Sequence, residues 1–204
     1  APLAEGSASL PTPEQFAAQF SKFEGFWYQG KAELTRYALR QARYGDTHDG
    51  EAVLIFVTED FLPKLQVKQE QGESSDAISV LKLNDYRRFY TGIYPYTVMT
   101  SSFTPASGAP TLKLSSTVQE WCGQVYSQVN RRKDGLHALV HSYFQNEADQ
   151  SFVLPDAILE DGLWAKLRIS PKSIPVGAQQ IIPALDYIRM RHKALRPYPA
   201  VVTR

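Results

Sequence analysis

QEWCGQVYSQVNRRKDGLHALVHSYFQNEAD, residues Gln119–Asp149, is the stretch whose reading decides the fold. Runs of alternating apolar and polar residues flank Asp134-Gly135, and such a pair between such runs is the strongest short hairpin signal. Closing a two-residue turn there pairs Lys133 with Leu136. The register then sets Val129 opposite Val140 and Val125 opposite Phe144 on one face. On the other face it sets Gln128 opposite His141, Tyr126 opposite Tyr143, Gln124 opposite Gln145 and Cys122 opposite Glu147. Apolar meets apolar and polar meets polar, an agreement the choice of turn did not require.

The same stretch holds the only cysteine and two of the four histidines. Cys122, His141 and a carboxylate from Glu147 or Asp149 have the residue types of a cysteine-nucleophile triad, in which an imidazole holds the thiolate form. In the predicted register Cys122 and His141 lie ~20 Å apart along the ladder, at ~3.3 Å per residue, too far to act as a dyad. The face carrying Cys122, Tyr126, His141, Tyr143 and Glu147 becomes instead the candidate wall of a ligand cleft. An ordinary half-polar sheet surface is the competing assignment.

Outward from this hairpin the chain continues in the same style. Lys31–Arg43 reads as a strand, with a helix as the alternative, and Tyr44–Gly50 reads as a loop. Asp46, His48 and Asp49 in that loop have the look of metal donors, but Asp and Thr cluster in ordinary turns for their own backbone hydrogen bonds. Glu51–Thr58 is apolar on both parities, as in a central strand. Leu65–Gln69, Ile78–Leu83 and Leu112–Val118 are further short strands. Arg87–Phe103 is strongly β-prone, and Pro95, which has no N–H to donate, marks an edge strand or a break. Ser151–Pro155 follows the hairpin, and Gln179–Ile182 and Leu185–His192 read as a last strand pair.

Two segments read as helices. Thr12, Pro13 and Gln15 make an N-terminal capping signal, and Phe16, Phe20 and Phe23 share one helical face, so Pro13–Lys22 is expected to be an amphipathic helix on the sheet. In Asp156–Arg168, Leu159, Leu163 and Leu167 recur every four residues, with Asp156 as cap. Gly162 inside that helix would weaken it by about 1 kcal/mol relative to Ala. Trp121 and Trp164 are expected in the core. The fold class is therefore mainly β: a single curved, barrel-like antiparallel sheet with an N-terminal amphipathic helix and one helix, about 156–168, packed on or capping it. Residues 1–11 form a flexible lead-in and 12–204 one domain, in a chain that can continue beyond Arg204.

Composition narrows the function. Lys plus Arg number 22 and Asp plus Glu 21, a net charge of +1, which gives no general basis for binding nucleic acid. The basic run Asn130–Lys133 is expected to be a solvated hairpin tip. A single cysteine excludes an intrachain disulfide and a multi-cysteine zinc site. No cofactor or metal is indicated, and no apolar run reaches transmembrane length. The small, polar opening APLAEGSAS has the character of a segment exposed after a leader is removed.

The segments WYQGKAEL (27–34), QARYGD (41–46), AVLIFVTEDFLP (52–63), TGIYPY (91–96), QEWCGQVY (119–126), HSYFQNEADQ (141–150) and IRMRHKALRPY (188–198) resemble a family of uncharacterised exported bacterial proteins, many of lipoprotein type. Several members carry the label septum-formation inhibitor. The nucleotide pyrophosphatases of that name have a Ser-x-Ser-Pro-Arg-Arg loop, which this chain lacks. LWAKLRISPKSIPVG (163–177) and its surroundings also resemble a domain family of unknown function built as curved antiparallel sheets with a helical lid. The resemblance implies a protein of the periplasm or outer-membrane-associated envelope and brings no catalytic residues. The expectation is a non-catalytic binder of a lipid, a small hydrophobic molecule or an envelope partner protein. The alternatives are a cysteine hydrolase using Cys122 and a structural or assembly module without ligand.

Overall fold

The computed structural model describes residue 23 and residues 25–203. The lead-in 1–11 and the helix expected over Pro13–Lys22 lie outside them. The chain folds as an antiparallel meander of β1 (Glu33–Arg43), β2 (Asp46–Leu62), β4 (Ile78–Thr91), β5 (Tyr94–Pro105), β6 (Lys113–Glu120), β7 (Gly123–Arg132), β8 (Gly135–Ser142) and β9 (Gln150–Leu154). The short β3 (Val67–Lys68) pairs with β2. The curved sheet is open: β1 and β9 are its edges, and no pairing joins them among the described residues. A second, three-stranded sheet joins β10 (Ile158–Leu159), β11 (Gly177–Ile182) and β12 (Tyr198–Val202). Among the described residues, α1 (Leu163–Ile169) and α2 (Leu185–Met190) are short helices in the C-terminal third, and residues 25–27 are also helical.

Turns explain why the meander is so regular. Tyr44 and Gly45 both have positive φ, 55° and 87°, so a two-residue hairpin joins β1 directly to β2. Asp46–Gly50, expected as loop, is therefore strand, and His48 pairs with Gln41. The break in Arg87–Phe103 falls at Gly92-Ile93, not at Pro95. Pro95 is tolerated in an interior strand because β6 begins to pair with β5 only at Thr97, so the proline removes no bond on that side.

Cross-strand rows define the inner face. Phe56, Leu83, Ser102, Leu114, Val129, Ala138 and Phe152 follow one another from β2 to β9. A parallel row runs Asp85, Thr100, Ser116, Ser127, with Thr100 Oγ1 and Ser116 Oγ 2.8 Å apart. The inner face thus carries a polar band between apolar rows. Its apolar parts bury Phe23, Trp27, Ala165 and Ile169 at one end and Leu159, Ile182, Leu185 and Ile188 at the other.

The C-terminal third departs most from expectation. Of Asp156–Arg168 only the end is helical: Ile158–Leu159 is strand and Glu160–Gly162 a single 3-10 turn. Asp156 caps nothing there and instead pairs with Arg131. The buried side of α1 is Ala165 and Ile169, while Leu167 and Trp164 are exposed. The four-residue leucine spacing failed because Leu159 is buried from a strand. Trp121 also lies at the surface, in the β6–β7 turn, edge-on to Tyr94. The tryptophan in the core is Trp27.

Leu185–His192, expected as strand, contains α2, a helix too short to persist alone. Carboxylates far from it in sequence hold its start: the Ala184 N–H donates to Glu160 Oε2 and the Leu185 N–H to Asp161 Oδ2, both at 2.9 Å. Arg43 donates to the Met190 carbonyl at its end. These bonds satisfy orphan groups at the helix termini, and no local sequence pattern reports them.

Candidate functional site

The hairpin β7–β8 forms, with its register shifted by two residues from the expected one. Arg132 pairs with Gly135 and Tyr126 with His141, so Lys133-Asp134 is the turn. Gly135, at φ 137°, serves a different need: a Cβ there would lie 2.5 Å from the Leu154 carbonyl of β9. Its freedom is used for close strand approach. A shift of two residues is even, so every side chain keeps its expected face.

The five candidate residues are divided by the structure. Tyr126 and His141 are direct partners on the outer face and line an open pocket of about 510 Å³ with Thr117, Gln124 and Asp149. His141 Nδ1 is 3.0 Å from Asp149, and Tyr126 donates to Gln128 Oε1 at 2.9 Å. Burial raises the Tyr126 hydroxyl pKa, which keeps it a neutral donor. Cys122 is an exposed free thiol in the Trp121-Cys122 turn, and Tyr143 is exposed beside Gly123. Neither lines this pocket. Cys122 stands four ladder positions from His141, ~13 Å at ~3.3 Å per residue.

Glu147 leaves that face altogether. The β8–β9 connection, with its 3-10 turn Gln145–Glu147, folds over the inner face, where Glu147 meets His192 at 2.5 Å through Nδ1. There the connection, the inner face of β7 and β8, and α2 with its following segment border a half-open pocket of about 570 Å³. Val125, Val140, Phe144, Ile188 and Leu195 make its apolar wall, and Arg189, His192, Lys193 and Glu147 its charged part. The size falls in the range of small-molecule sites.

The charged part is ordered by a chain of contacts. Arg189 Nη2 donates to Glu120 Oε1 at 2.6 Å, both side chains being almost wholly buried. Arg189 Nη1 is 3.4 Å from His192 Nε2, and Ser142 Oγ donates to Glu147 Oε2 at 3.2 Å. An imidazole with its proton on Nδ1 satisfies both neighbours, donating to Glu147 and accepting from Arg189. The guanidinium lies 3.9 Å over the Phe144 ring, a cation–π contact in a desolvated place. His192 holds φ 48°, a left-handed conformation uncommon for a residue with a Cβ.

A second buried charge cluster anchors α2 to the sheet. Arg87 donates to both oxygens of Asp85, at 3.1 and 2.7 Å, and to Asp186. Burial lowers the Arg87 pKa, but the bond to Asp85 and the charges of Asp186, Asp85 and Asp161 raise it further, so it stays charged. Asp161 is buried, and desolvation, with the charges of Asp186, Asp85 and Glu160 also raising it against the Leu185 N–H bond, brings it up to about 7. Among the described residues no group of three or more His, Cys, Asp and Glu is placed to hold a metal ion.

Sequence reasoning missed Arg189, His192 and Lys193 because their segment reads as strand. The signal present was the density of cations in IRMRHKALRP, which has no acid to neutralise it locally. No family model matches the chain, and no curated protein or solved structure is similar to it.

Proposed function

We propose that the chain is a binding protein whose ligand, small and largely apolar, occupies the cavity between β7, β8 and α2. One observation carries this: Val125, Val140, Phe144, Ile188 and Leu195 together wall a half-open pocket of about 570 Å³, beside polar side chains from β7, β9, α2 and the β8–β9 connection. Apolar walls with a few convergent polar groups are the general make-up of small-molecule sites. The reading needs no chemical step. Placement in the cell envelope belongs to the same proposal and rests on the family resemblance; fractionation of cells carrying the full-length gene tests it.

The binding test uses N-phenyl-1-naphthylamine, an uncharged dye that fluoresces in apolar surroundings. Saturable binding at micromolar dye is expected. Val140→Trp and, from the opposite wall, Leu195→Trp each fill the cavity and abolish the signal while the protein retains its circular dichroism and a cooperative melt. Absence of saturable binding by the unaltered protein, or binding undiminished in both folded variants, overturns the proposal.

A further inference from the structure

We propose that the hairpin tips at one end of the sheet form a docking rim for the interfacial zone of a lipid bilayer, entered by Ile93, Tyr94, Trp121 and Tyr143. This goes beyond the pocket reading and does not depend on it. In the meander the β4–β5 turn, the β6–β7 turn and the start of the β8–β9 connection fall at the same end. The three adjoin. The Trp121 ring stands edge-on to Tyr94 at 5.5 Å between centroids, and Tyr143 lies so close to Gly123 that a Cβ there would meet its ring at 2.8 Å. Tyr143 is in turn edge-on to Phe144, a wall of the pocket. The four rim side chains are between 43% and 77% exposed.

Charge, residue type and area select a bilayer over other occupants. Thr91–Val98, Trp121–Asn130 and Ser142–Asn146 contain no charged residue. The connections after β2 and β7, at the opposite end, carry Lys64, Glu70, Glu73, Asp76, Lys133 and Asp134. A hydrocarbon boundary penalises charge that must be desolvated, and the rim brings none to it. Trp and Tyr join an apolar body to a polar tip and concentrate where membrane meets water. Aromatic side chains of about 150–250 Å² each, exposed to this degree and joined by Ile93, offer ~500 Å². That falls short of the ~800 Å² per partner of a stable protein interface. A bilayer sets no such threshold, because burial of apolar surface itself drives insertion.

Flotation with phosphatidylcholine vesicles is the test, since a zwitterionic surface gives the net charge of +1 nothing to steer by. The unaltered protein is expected to float with the vesicles in low and high salt alike. Ile93→Ser, Trp121→Ser and Tyr143→Ser should each lower the partition coefficient by at least about tenfold. The triple variant should stay in solution with an unchanged melt. Leu65→Ser, at an exposed position of the opposite end, should change nothing, and neither should Val140→Trp, which fills the pocket. In Trp164→Phe, Trp121 is the only exposed tryptophan. Its emission should shift to shorter wavelength on vesicles and be quenched more by lipids brominated near the head group than at the chain end. No flotation overturns the proposal, as does flotation undiminished in the triple variant. Self-association that the triple variant loses, without flotation, gives the rim to a second copy of the chain and overturns the lipid assignment. Dye binding by the triple variant should match that of the unaltered protein, so failure of the rim leaves the pocket proposal standing, and failure of the dye leaves the rim.

Discussion

The two faces of the sheet use charge in opposite ways. On the outer face Arg36 meets Glu51 at 2.7 Å and His141 meets Asp149 at 3.0 Å, with Arg36, His141 and Asp149 more than half exposed. On the inner face Glu120–Arg189 and Asp85–Arg87–Asp186 are buried under α2. Exposed pairs are worth little because water and salt compete for each partner. Buried ones lose hydration and must recover it from geometry, so breaking one strands its partner. Glu120–Arg189 and Arg87–Asp186 join segments distant in sequence, and Arg189 also borders the pocket. The buried charges fasten the C-terminal segment to the sheet, whereas the outer charges stay in contact with water.

The strongest test of that contrast removes one half of a buried pair. Arg189→Ala leaves the Glu120 carboxylate buried without its cation and should destabilise the fold by about 3–5 kcal/mol, read by urea unfolding. A loss below about 1 kcal/mol, the scale of an exposed pair, would erase the distinction between the faces.

Asp161 sharpens it through pH. Its pKa is raised by desolvation, and by the charges of Asp186, Asp85 and Glu160, from 3.8 to about 7 in the folded protein. The unfolded chain therefore releases a proton that the folded protein keeps across this window. Stability falls as pH rises from about 4 to 7, by about 4 kcal/mol from this group, and the loss is absent below the window. Asp161→Asn keeps an oxygen for the Leu185 N–H and should flatten the profile, making the variant the more stable at pH 7.5. An unchanged slope between pH 4.5 and 7.5 would show that Asp161 does not carry it.

A smaller effect is expected where the C-terminal segment crosses Thr111. Sequence propensity predicts that Gly162→Ala stabilises a helix, but Gly162 precedes α1 and a Cβ there would lie 2.0 Å from Thr111 Oγ1. Thr111 is buried and hydrogen-bonded to Thr104 at 2.8 Å, so it cannot yield freely. The variant should lose about 1–3 kcal/mol, the scale of overpacking, and a raised melting temperature would contradict this. The smallest effect belongs to the outer face. His141→Ala should change stability by less than about 1 kcal/mol and leave dye binding unaltered; a loss of dye affinity would move the site to Tyr126 and His141.

Alternation in the Gln119–Asp149 hairpin placed Val125, Val129 and Val140 inward and Tyr126 and His141 outward, and the structure agrees on every one. That information is local: side-chain direction in a strand has period two, and a short turn keeps both strands in phase. The turn residue itself was misassigned, because Asp134-Gly135 has the composition of a turn while Gly135 answers to a neighbour, β9, that the dipeptide does not encode. The same limit applies to Glu147, placed by its number on the outer face and carried inward by a 3-10 turn.

From its amino-acid order alone, then, this protein is mainly β, a curved antiparallel sheet, since pleat and tight turns are properties of neighbours in sequence. Only tertiary structure decided that Leu185–Met190 is a helix and that Arg189, His192 and Lys193 face a cavity. The caps of that helix are Glu160, Asp161 and Arg43, and its lateral anchors Arg87 and Glu120 sit on β4 and β6. A six-residue segment has too few hydrogen bonds of its own to choose a conformation, so the choice falls to charges brought to it by the rest of the chain.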